Sequence, residues 1–233
     1  MTAAVFYYHR VGPFRAGAPR KMNVEPASFR AHMKALAGAS NPVSLDALVD
    51  GPIPRGAVAV TFDDGYRDLL DHALPTLREL KIPATFFIVA GGVGSTDTWN
   101  EIPGVPREPT LAWDELARIR DAGLSIGSHS MTHPRLDGVS ADELRREVGE
   151  SKRVIEAKLG IRVRHFAYPQ GRHSPEAERA VQAAGYDAGW ATKKGRILTD
   201  EDRFAARRIP VSGHISGLRF RWEHFLRRIG VRR

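Results

Sequence analysis

Residues 57–66 read Ala-Val-Ala-Val-Thr-Phe-Asp-Asp-Gly-Tyr, an apolar run that ends in two adjacent acidic residues and a glycine. A short apolar run bounded by turn residues is typical of a buried strand. Two neighbouring carboxylates repel each other and add nothing to a core. Asp63 and Asp64 therefore indicate either a solvated turn or a site in which one carboxylate binds a metal ion and the other holds a water.

Similar apolar runs recur along the chain and alternate with amphipathic segments, a pattern typical of an α/β protein with a parallel sheet. The apolar runs predict strands at 5–8, 58–62, 85–89, 124–127, 165–168 and 186–191. The amphipathic segments predict helices at 29–36, 69–80, 113–121, 140–159 and 175–184. Asp68 is the predicted N-cap of the second helix, and Ser140 opens the fourth through a capping box. The Gly- and Pro-rich stretch 91–109 predicts a loop that is long enough to cover a substrate.

The composition indicates one packed domain rather than a disordered chain, since 42% of the 233 residues are hydrophobic. The absence of cysteine excludes disulfides, thiolate–zinc sites and a cysteine nucleophile. The N-terminus has no basic region ahead of a long apolar core, and the longest near-apolar run, 84–94, is shorter than the ~20 residues of a membrane span. We therefore expect a cytoplasmic protein without a signal peptide or a transmembrane segment.

The net charge of +8 is concentrated at the end of the chain, since residues 218–233 contain six arginines and one glutamate. No element that reads nucleic acid accompanies this charge, so we expect no nucleic-acid partner. Apolar residues recur in the same segment at helical spacing, which predicts a basic amphipathic helix at 218–233 beyond a main domain at 1–217. This helix either docks on the domain with its arginines in water or makes peripheral contact with an anionic membrane at the inner face.

Two further predicted strands also end in polar groups. One leads to His129, and His133 follows at a spacing of four, so the two imidazoles can converge on one cation if the segment forms a helical turn. With one carboxylate they complete a three-ligand site that leaves a position open for water. The strand at 165–168 leads into a Pro-Gln-Gly turn, which can present a backbone N–H to an oxyanion. An α/β barrel places such strand ends around one mouth, where its active sites lie.

Three motifs now carry a family resemblance: Thr-Phe-Asp-Asp-Gly-Tyr at 61–66, His-Ser-Met-Thr-His-Pro at 129–134 and Phe-Ala-Tyr-Pro-Gln-Gly at 166–171. They resemble the first three motifs of the polysaccharide deacetylases, the family-4 carbohydrate esterases with the NodB homology fold. The opening Tyr-Tyr-His-Arg-Val-Gly at 7–12 and Arg-Ile-Pro-Val at 208–211 resemble the subgroup that N-deacetylates exopolysaccharide, such as the poly-N-acetylglucosamine deacetylases. The resemblance implies a distorted (β/α) barrel with fewer than eight regular strands. It also implies a hydrolase that removes N-acetyl groups from a sugar in a polysaccharide or a glycan precursor.

The resemblance implies roles for the residues of the motifs. Asp64, His129 and His133 would bind one divalent metal ion, with zinc as the first expectation and cobalt or nickel as alternatives. Asp63 would be the general base that takes a proton from the attacking water. The backbone N–H of Gln170, together with the metal, would hold the oxyanion.

The sequence also departs from the family pattern. Many relatives have an arginine in the third motif that orients the catalytic aspartate, whereas this chain has Ala167, so Arg208 or, as a less favoured choice, Arg164 would supply the guanidinium. The late Leu-x-His motif that supplies the general acid has no convincing match. In the exopolysaccharide subgroup the motif order is circularly permuted and an early histidine takes this role, which implies His9 as the acid, with His214 as the alternative.

Four aromatic residues are candidates for stacking on a sugar ring, although aromatic residues in strands belong more often to a core: Tyr66, Trp99, Tyr168 and Trp190. Two other functions stay open for the chain as a whole. One is a catalytically silent glycan-binding module of the same fold. The other is a metal amidase that acts on a non-sugar amide or a formamide.

Overall fold

The structure is a computed structural model that describes residues 3–14, 22–193, 195 and 203–213. The predicted helix at 218–233 and His214 lie outside the described residues. The strands are β1 (Ala4–Tyr8), β2 (Arg10–Val11), β3 (Asn23–Val24), β4 (Asn41–Pro42), β5 (Ala57–Phe62), β6 (Ala84–Ile88), β7 (Ser125–Ser128), β8 (His165–Ala167), β9 (Ala188–Trp190) and β10 (Ile209–Pro210).

The main sheet has eight strands in the order β10-β1-β5-β6-β7-β8-β9, and β4 pairs with the start of β5. All of its pairings are parallel. β2 and β3 form a separate parallel pair. Six strands of the main sheet have three or more residues, and each lies within two residues of a predicted strand. The predicted distorted (β/α) barrel with fewer than eight regular strands is confirmed.

The helices are α1 (Pro26–Ala39), α2 (Leu45–Val49), α3 (Asp68–His72), α4 (Leu74–Glu79), α5 (Trp113–Asp121), α6 (Ala141–Arg145), α7 (Ser151–Leu159) and α8 (Pro175–Ala183). The predicted helix at 69–80 is divided into α3 and α4, because Pro75 near the start of α4 has no N–H to donate to the preceding turn. Asp68 is the first residue of α3 rather than its N-cap, and its carboxylate accepts a hydrogen bond from Arg10 at 2.8 Å. Within the described residues, none of the helices has the length and apolar composition that crossing a bilayer requires.

The predicted helix that opens at Ser140 is present but not uniform. Its capping box is formed, with the Ser140 backbone N–H donating to the Glu143 carboxylate at 2.9 Å. A π turn at Arg146–Glu150 separates α6 from α7, and the helix ends where Gly160 adopts a φ of 63°.

Strand residues alternate between two apolar clusters. One cluster joins strand residues such as Phe6 and Val60 to the surrounding helices. The other contains many alanines and joins the inward-facing residues to Leu45 and Leu48 of α2. Because α2 packs against the starts of the strands, the amino-terminal end of the barrel is filled, and the carboxyl-terminal end is left for polar groups.

The segment that precedes β10 closes the barrel between the first and last strands. Ala206 pairs with Trp190 of β9, and Ile209 pairs with Phe6 of β1. Arg208 lies between these two pairings, and its side chain is completely buried. The closing segment thus carries a positive charge into the barrel.

Candidate active site

The carboxyl ends of the strands open onto one cavity of about 430 Å³. Parallel strands bring these ends to the same edge of the sheet, so motifs that are far apart in sequence meet there. Six residues selected from the sequence line the cavity: His9, Asp63, Asp64, His129, His133 and Gln170.

Asp64, His129 and His133 converge with one ligand atom each. The Oδ1 atom of Asp64 lies 3.5 Å from Nε2 of His129 and 3.4 Å from Nε2 of His133. The three ligand atoms lie within 4.8 Å of one another. Asp64 Oδ1 is buried and has no hydrogen-bond partner among the described residues. Two imidazole nitrogens and a carboxylate oxygen are a usual donor set for zinc-like ions, so these residues fit a divalent metal ion.

The protonation states of this cluster suit metal binding. Nδ1 of His129 lies 2.8 Å from the carbonyl oxygen of Ala167, which can only accept, so Nδ1 carries the hydrogen and Nε2 offers its lone pair. Burial lowers the pKa of His129 to about 4, which keeps the ring neutral at pH 7. Burial raises the pKa of Asp64, but the neighbouring His133 outweighs this effect, and the pKa lies well below its ordinary value.

The segment from His129 to His133 brings the two imidazoles together without forming a helical turn. It is a sharp bend in which Ser130 and His133 have left-handed φ values of 68° and 67°. The backbone N–H of His133 donates to Oγ of Ser130 at 2.9 Å. A non-glycine residue in this conformation costs about 1–3 kcal/mol and persists only where surrounding contacts hold it. The bend therefore depends on contacts from neighbouring elements. One of these contacts comes from Glu147, a buried residue that the sequence analysis did not select.

Asp63 is held by Arg208 in a two-point contact. The guanidinium donates from Nη1 to Oδ1 at 2.7 Å and from Nη2 to Oδ2 at 2.9 Å. Arg208 also donates to Thr61 Oγ1 at 3.2 Å, and its guanidinium lies over the ring of Tyr7 at 4.8 Å. Burial raises the pKa of Asp63, but the charge and hydrogen bonds of Arg208 outweigh it, so the pKa lies below its ordinary value. Asp63 is therefore ionised at neutral pH.

Arg164, the other candidate for this contact, lies elsewhere. Its guanidinium pairs with Asp46, Asp50 and Asp187. Asp46 belongs to α2, at the amino-terminal end of the barrel. Of the two arginines considered from the sequence, the structure brings only Arg208 to Asp63.

His9 and Gln170 lie on the cavity wall. His9 follows β1 and is half-buried, with its ring 5.6 Å from that of Tyr7 in an edge-on arrangement. Gln170 lies in the turn Pro169–Gly171 with a φ of 56°, so the chain bends sharply after β8 as the Pro-Gln-Gly sequence predicted. His214, the other candidate for the general acid, lies outside the described residues.

Three of the four aromatic candidates for sugar stacking have buried rings. Tyr66, Tyr168 and Trp190 are each at most 1% exposed, and none of them lines the cavity. Tyr168 donates its hydroxyl to the carbonyl of Phe204 at 2.7 Å, and Trp190 belongs to the inner apolar cluster. The bulk of a buried aromatic ring stabilises a core, and these positions do not favour contact with a sugar.

The loop between β6 and α5 carries the stacking candidate Trp99 and two polar residues that the sequence analysis did not select, Asp97 and Asn100. Asn100 lines the cavity, donates to the Tyr66 hydroxyl at 2.7 Å and lies 3.4 Å from Asp64 Oδ2. The Tyr66 hydroxyl donates in turn to Asp97 at 3.0 Å. The ring of Trp99 lies 5.5 Å from that of His133. The available signal was a polar and aromatic stretch, 97–100, inside a Gly- and Pro-rich loop.

A curled parallel sheet with an acidic pair and two histidines at the carboxyl ends of its strands places this protein among the α/β barrels that carry a polar site at one mouth. Residues 50–189 match the polysaccharide deacetylase family. The chain belongs to that family, the one its three motifs resemble, and its relatives indicate a carbohydrate N-deacetylase.

Two relatives illustrate the match in sequence. The chain is 26% identical over 222 residues to the protein YxkH of Bacillus subtilis (strain 168). The aligned region covers 93% of this chain and 74% of that protein. It is 25% identical over 168 residues to a poly-beta-1,6-N-acetyl-D-glucosamine N-deacetylase of Staphylococcus epidermidis. That match covers 70% of this chain and 57% of the relative, so the chain spans little more than half of the staphylococcal protein.

Solved structures share the fold. The Streptococcus pyogenes deacetylase PplD, in complex with acetate, has a TM-score of 0.81 at 20% identity, with 97% of both chains covered. A polysaccharide deacetylase from Bacillus cereus has a TM-score of 0.80 at 23% identity, with 98% of this chain and 69% of that chain covered. At these identities the likeness establishes the distorted barrel.

Proposed function

We propose that the protein is a metal-dependent N-deacetylase that hydrolyses the N-acetyl group of a sugar within a polysaccharide or a glycan precursor. One observation carries the proposal: an ionised carboxylate, Asp63, is fixed beside the Asp64, His129 and His133 cluster in the same cavity. Amide hydrolysis needs a base for the attacking water and a positive centre for the oxyanion. Both would be available at adjacent positions.

The metal site would consist of Asp64, His129 and His133. A divalent ion bound there would act as a Lewis acid that lowers the pKa of water from 15.7 toward ~7. The donor set favours zinc, with cobalt and nickel as ions that accept the same ligands. The tautomer of His129, fixed through its contact with the Ala167 carbonyl, keeps one donor ready.

Asp63 would take the proton from the attacking water, and Arg208 would orient its carboxylate. The two-point contact stops the carboxylate from rotating and keeps it ionised. The backbone N–H of Gln170, which lines the same cavity, would donate to the oxyanion. His9 would protonate the leaving amine, because histidine is a common general acid near neutral pH and His9 lines the same cavity as Asp63.

The substrate class follows from the family. The staphylococcal relatives are named as poly-beta-1,6-N-acetyl-D-glucosamine N-deacetylases, which makes a β-1,6-linked N-acetylglucosamine oligomer the first substrate to test. Peripheral contact with an anionic membrane through 218–233 is a separate proposal. It would bring the enzyme to a lipid-linked glycan.

The decisive experiment measures acetate release by the metal-loaded protein. The substrates are β-1,6-linked and β-1,4-linked N-acetylglucosamine oligomers and a small N-acyl amide, each with and without a chelator. Release from an oligomer that stops with chelator and returns with Zn²⁺ supports the proposal. Binding of oligomers without release indicates a silent glycan-binding module. Release from the small amide alone indicates an amidase.

A further inference from the structure

Glu147 is a buried acidic residue that lies outside the cavity and outside the ligand cluster. It belongs to the π turn Arg146–Glu150 and is 2% exposed. Its Oε2 atom accepts hydrogen bonds from the backbone N–H groups of Met131 and Thr132 at 2.9 and 2.8 Å. Its Oε1 atom accepts a hydrogen bond from the Thr132 hydroxyl at 2.7 Å. Three hydrogen bonds therefore join Glu147 to the segment that carries His133.

This segment is the part of the site that needs external support. Met131 and Thr132 lie between Ser130 and His133, the two residues with left-handed backbone conformations. N–H groups in such a bend do not join a strand ladder, so they need other acceptors when they are buried. On one side, the N–H of Gly91 donates to the carbonyl of Met131 at 2.8 Å. On the other side of the bend, Glu147 accepts hydrogen bonds from the N–H groups of Met131 and Thr132.

The π turn explains how the carboxylate reaches the bend. Side chains advance by about 100° per residue around an α-helix, and a π turn inserts one extra residue into this progression. Glu147 can thereby face the bend while its neighbour Val148, which is fully buried, stays in the apolar core. Such turns are rare and occur frequently at functional sites.

We propose that Glu147 is a positioning residue for His133. It fixes the backbone of Met131 and Thr132 so that Nε2 of His133 lies 3.4 Å from Oδ1 of Asp64, a separation at which both atoms can bind one metal ion. The proposal rests on the proposed function, since it takes His133 to be a metal ligand. Glu147 touches no ligand atom and acts through the backbone just before the ligand. Partners that orient metal ligands typically change metal affinity about 10–100-fold when removed.

The test compares Zn²⁺ affinity, measured against a competing chelator, for purified full-length variants that have been stripped of metal. Glu147→Ala removes all three acceptors, and Glu147→Asp keeps the charge but shortens its reach. Glu147→Gln keeps an acceptor oxygen for the two N–H groups and serves as the conservative rescue. Glu150→Gln makes the same chemical change on an exposed residue of the same turn. Leu144→Ala removes a buried apolar side chain from α6 and leaves the three hydrogen bonds of Glu147 in place.

Glu147→Ala is expected to bind Zn²⁺ about 10–100-fold more weakly than wild type, and Glu147→Asp is expected to change affinity in the same direction. Glu147→Gln, Glu150→Gln and Leu144→Ala are expected to stay within about threefold of wild type. Amide exchange of Met131 and Thr132, measured without metal, is expected to be faster in Glu147→Ala and unchanged in Leu144→Ala.

Wild-type affinity and wild-type amide protection in Glu147→Ala would overturn the inference. If that variant does not fold, Glu147→Asp decides by the same criterion. An equal loss of affinity in Leu144→Ala would also overturn it, because the effect would then follow stability alone. Failure of the proposed function has a different signature: wild type itself would not retain Zn²⁺, whereas the amide exchange would still report the contact between Glu147 and the bend.

Discussion

Arg208 and Asp63 form a buried two-point ion pair across 145 residues of sequence, with N–O distances of 2.7 and 2.9 Å. The family resemblance implies an arginine in the third motif at the position of Ala167, whose backbone carbonyl accepts a hydrogen bond from Nδ1 of His129. The guanidinium reaches Asp63 from the segment that closes the barrel. The positive charge next to Asp63 thus comes from the segment that precedes β10 and not from the third motif.

This ion pair predicts the effect of Arg208→Lys. A lysine offers one donor in place of a planar pair, so the Asp63 carboxylate can rotate and is less well paired. We expect kcat to fall by about 10²-fold while Zn²⁺ content is retained. Because Arg208 lowers the pKa of Asp63, its replacement raises that pKa, and the acidic limb of the pH–rate profile moves to higher pH.

The matched control for this prediction is Arg164→Lys. Arg164 pairs with three acidic residues far from the cavity, so this variant should keep the wild-type kcat and pH–rate profile. Equal kcat values for Arg208→Lys and wild type would remove Arg208 from the positioning role.

Metal content and turnover should separate in two other variants. His133→Ala removes one of three protein ligands, so most of the bound metal should be lost, as elemental analysis would measure. Asp63→Asn keeps the three ligands and should keep the metal, while turnover falls by about 10²–10⁴-fold because the general base is lost. Full metal occupancy in His133→Ala would contradict the ligand assignment. Turnover of Asp63→Asn within about threefold of wild type would contradict the base assignment.

The sequence predicted the strand ends well and the local bends poorly, for a physical reason. Residues at the carboxyl ends of parallel strands must share one edge, so Asp63, Asp64, His129 and Gln170 could be grouped without coordinates. The bend between His129 and His133 could not be predicted, because it depends on left-handed residues held by tertiary contacts. The spacing of four residues allowed the two imidazoles to converge through a helical turn; they do converge, but through a sharp bend.

The sequence could not show which distant arginine pairs with Asp63. Arg208 and Arg164 were both candidates for the contact with Asp63, and only the closure of the barrel decides between them. Glu147 gave no signal beyond its place in an amphipathic helix, since a π turn leaves no clear mark in a single sequence. Asp68, predicted as an N-cap, pairs instead with the buried Arg10.

The stability of the protein should depend on pH through His32. This residue is 2% exposed in α1, with Nδ1 at 3.4 Å from the Tyr8 hydroxyl. Burial lowers its pKa from 6.5 to about 4. Between these values the unfolded chain binds a proton that the folded protein does not, so stability is complete above pH 6.5 and falls as the pH drops toward 4. The difference in pKa corresponds to about 3 kcal/mol.

His32→Asn keeps a polar group near Tyr8 but cannot titrate. Urea unfolding of both chelator-treated proteins at pH 8 and pH 5 measures the effect. We expect the free energy of unfolding to fall less between these pH values in the variant than in wild type. An identical fall in the two proteins would contradict the assignment of this pH dependence to His32.

The last prediction concerns the group that protonates the leaving amine. His9 follows β1 and lies on the wall of the same cavity as Asp63, which makes it the described histidine outside the ligand cluster that borders the site. Its removal should leave the metal ligands untouched and slow the step in which the amine departs. We therefore expect His9→Ala to retain Zn²⁺ and to lose about 10²–10⁴-fold in kcat, with a smaller change in KM.

His214→Ala is the comparison variant for His9→Ala, and its loss of kcat should be much smaller. A nearly fully active His9→Ala beside an inactive His214→Ala would reverse the assignment. A substrate whose leaving group needs no proton, such as an aryl acetate ester, should restore most of the activity of His9→Ala, because general-acid assistance matters least for a good leaving group.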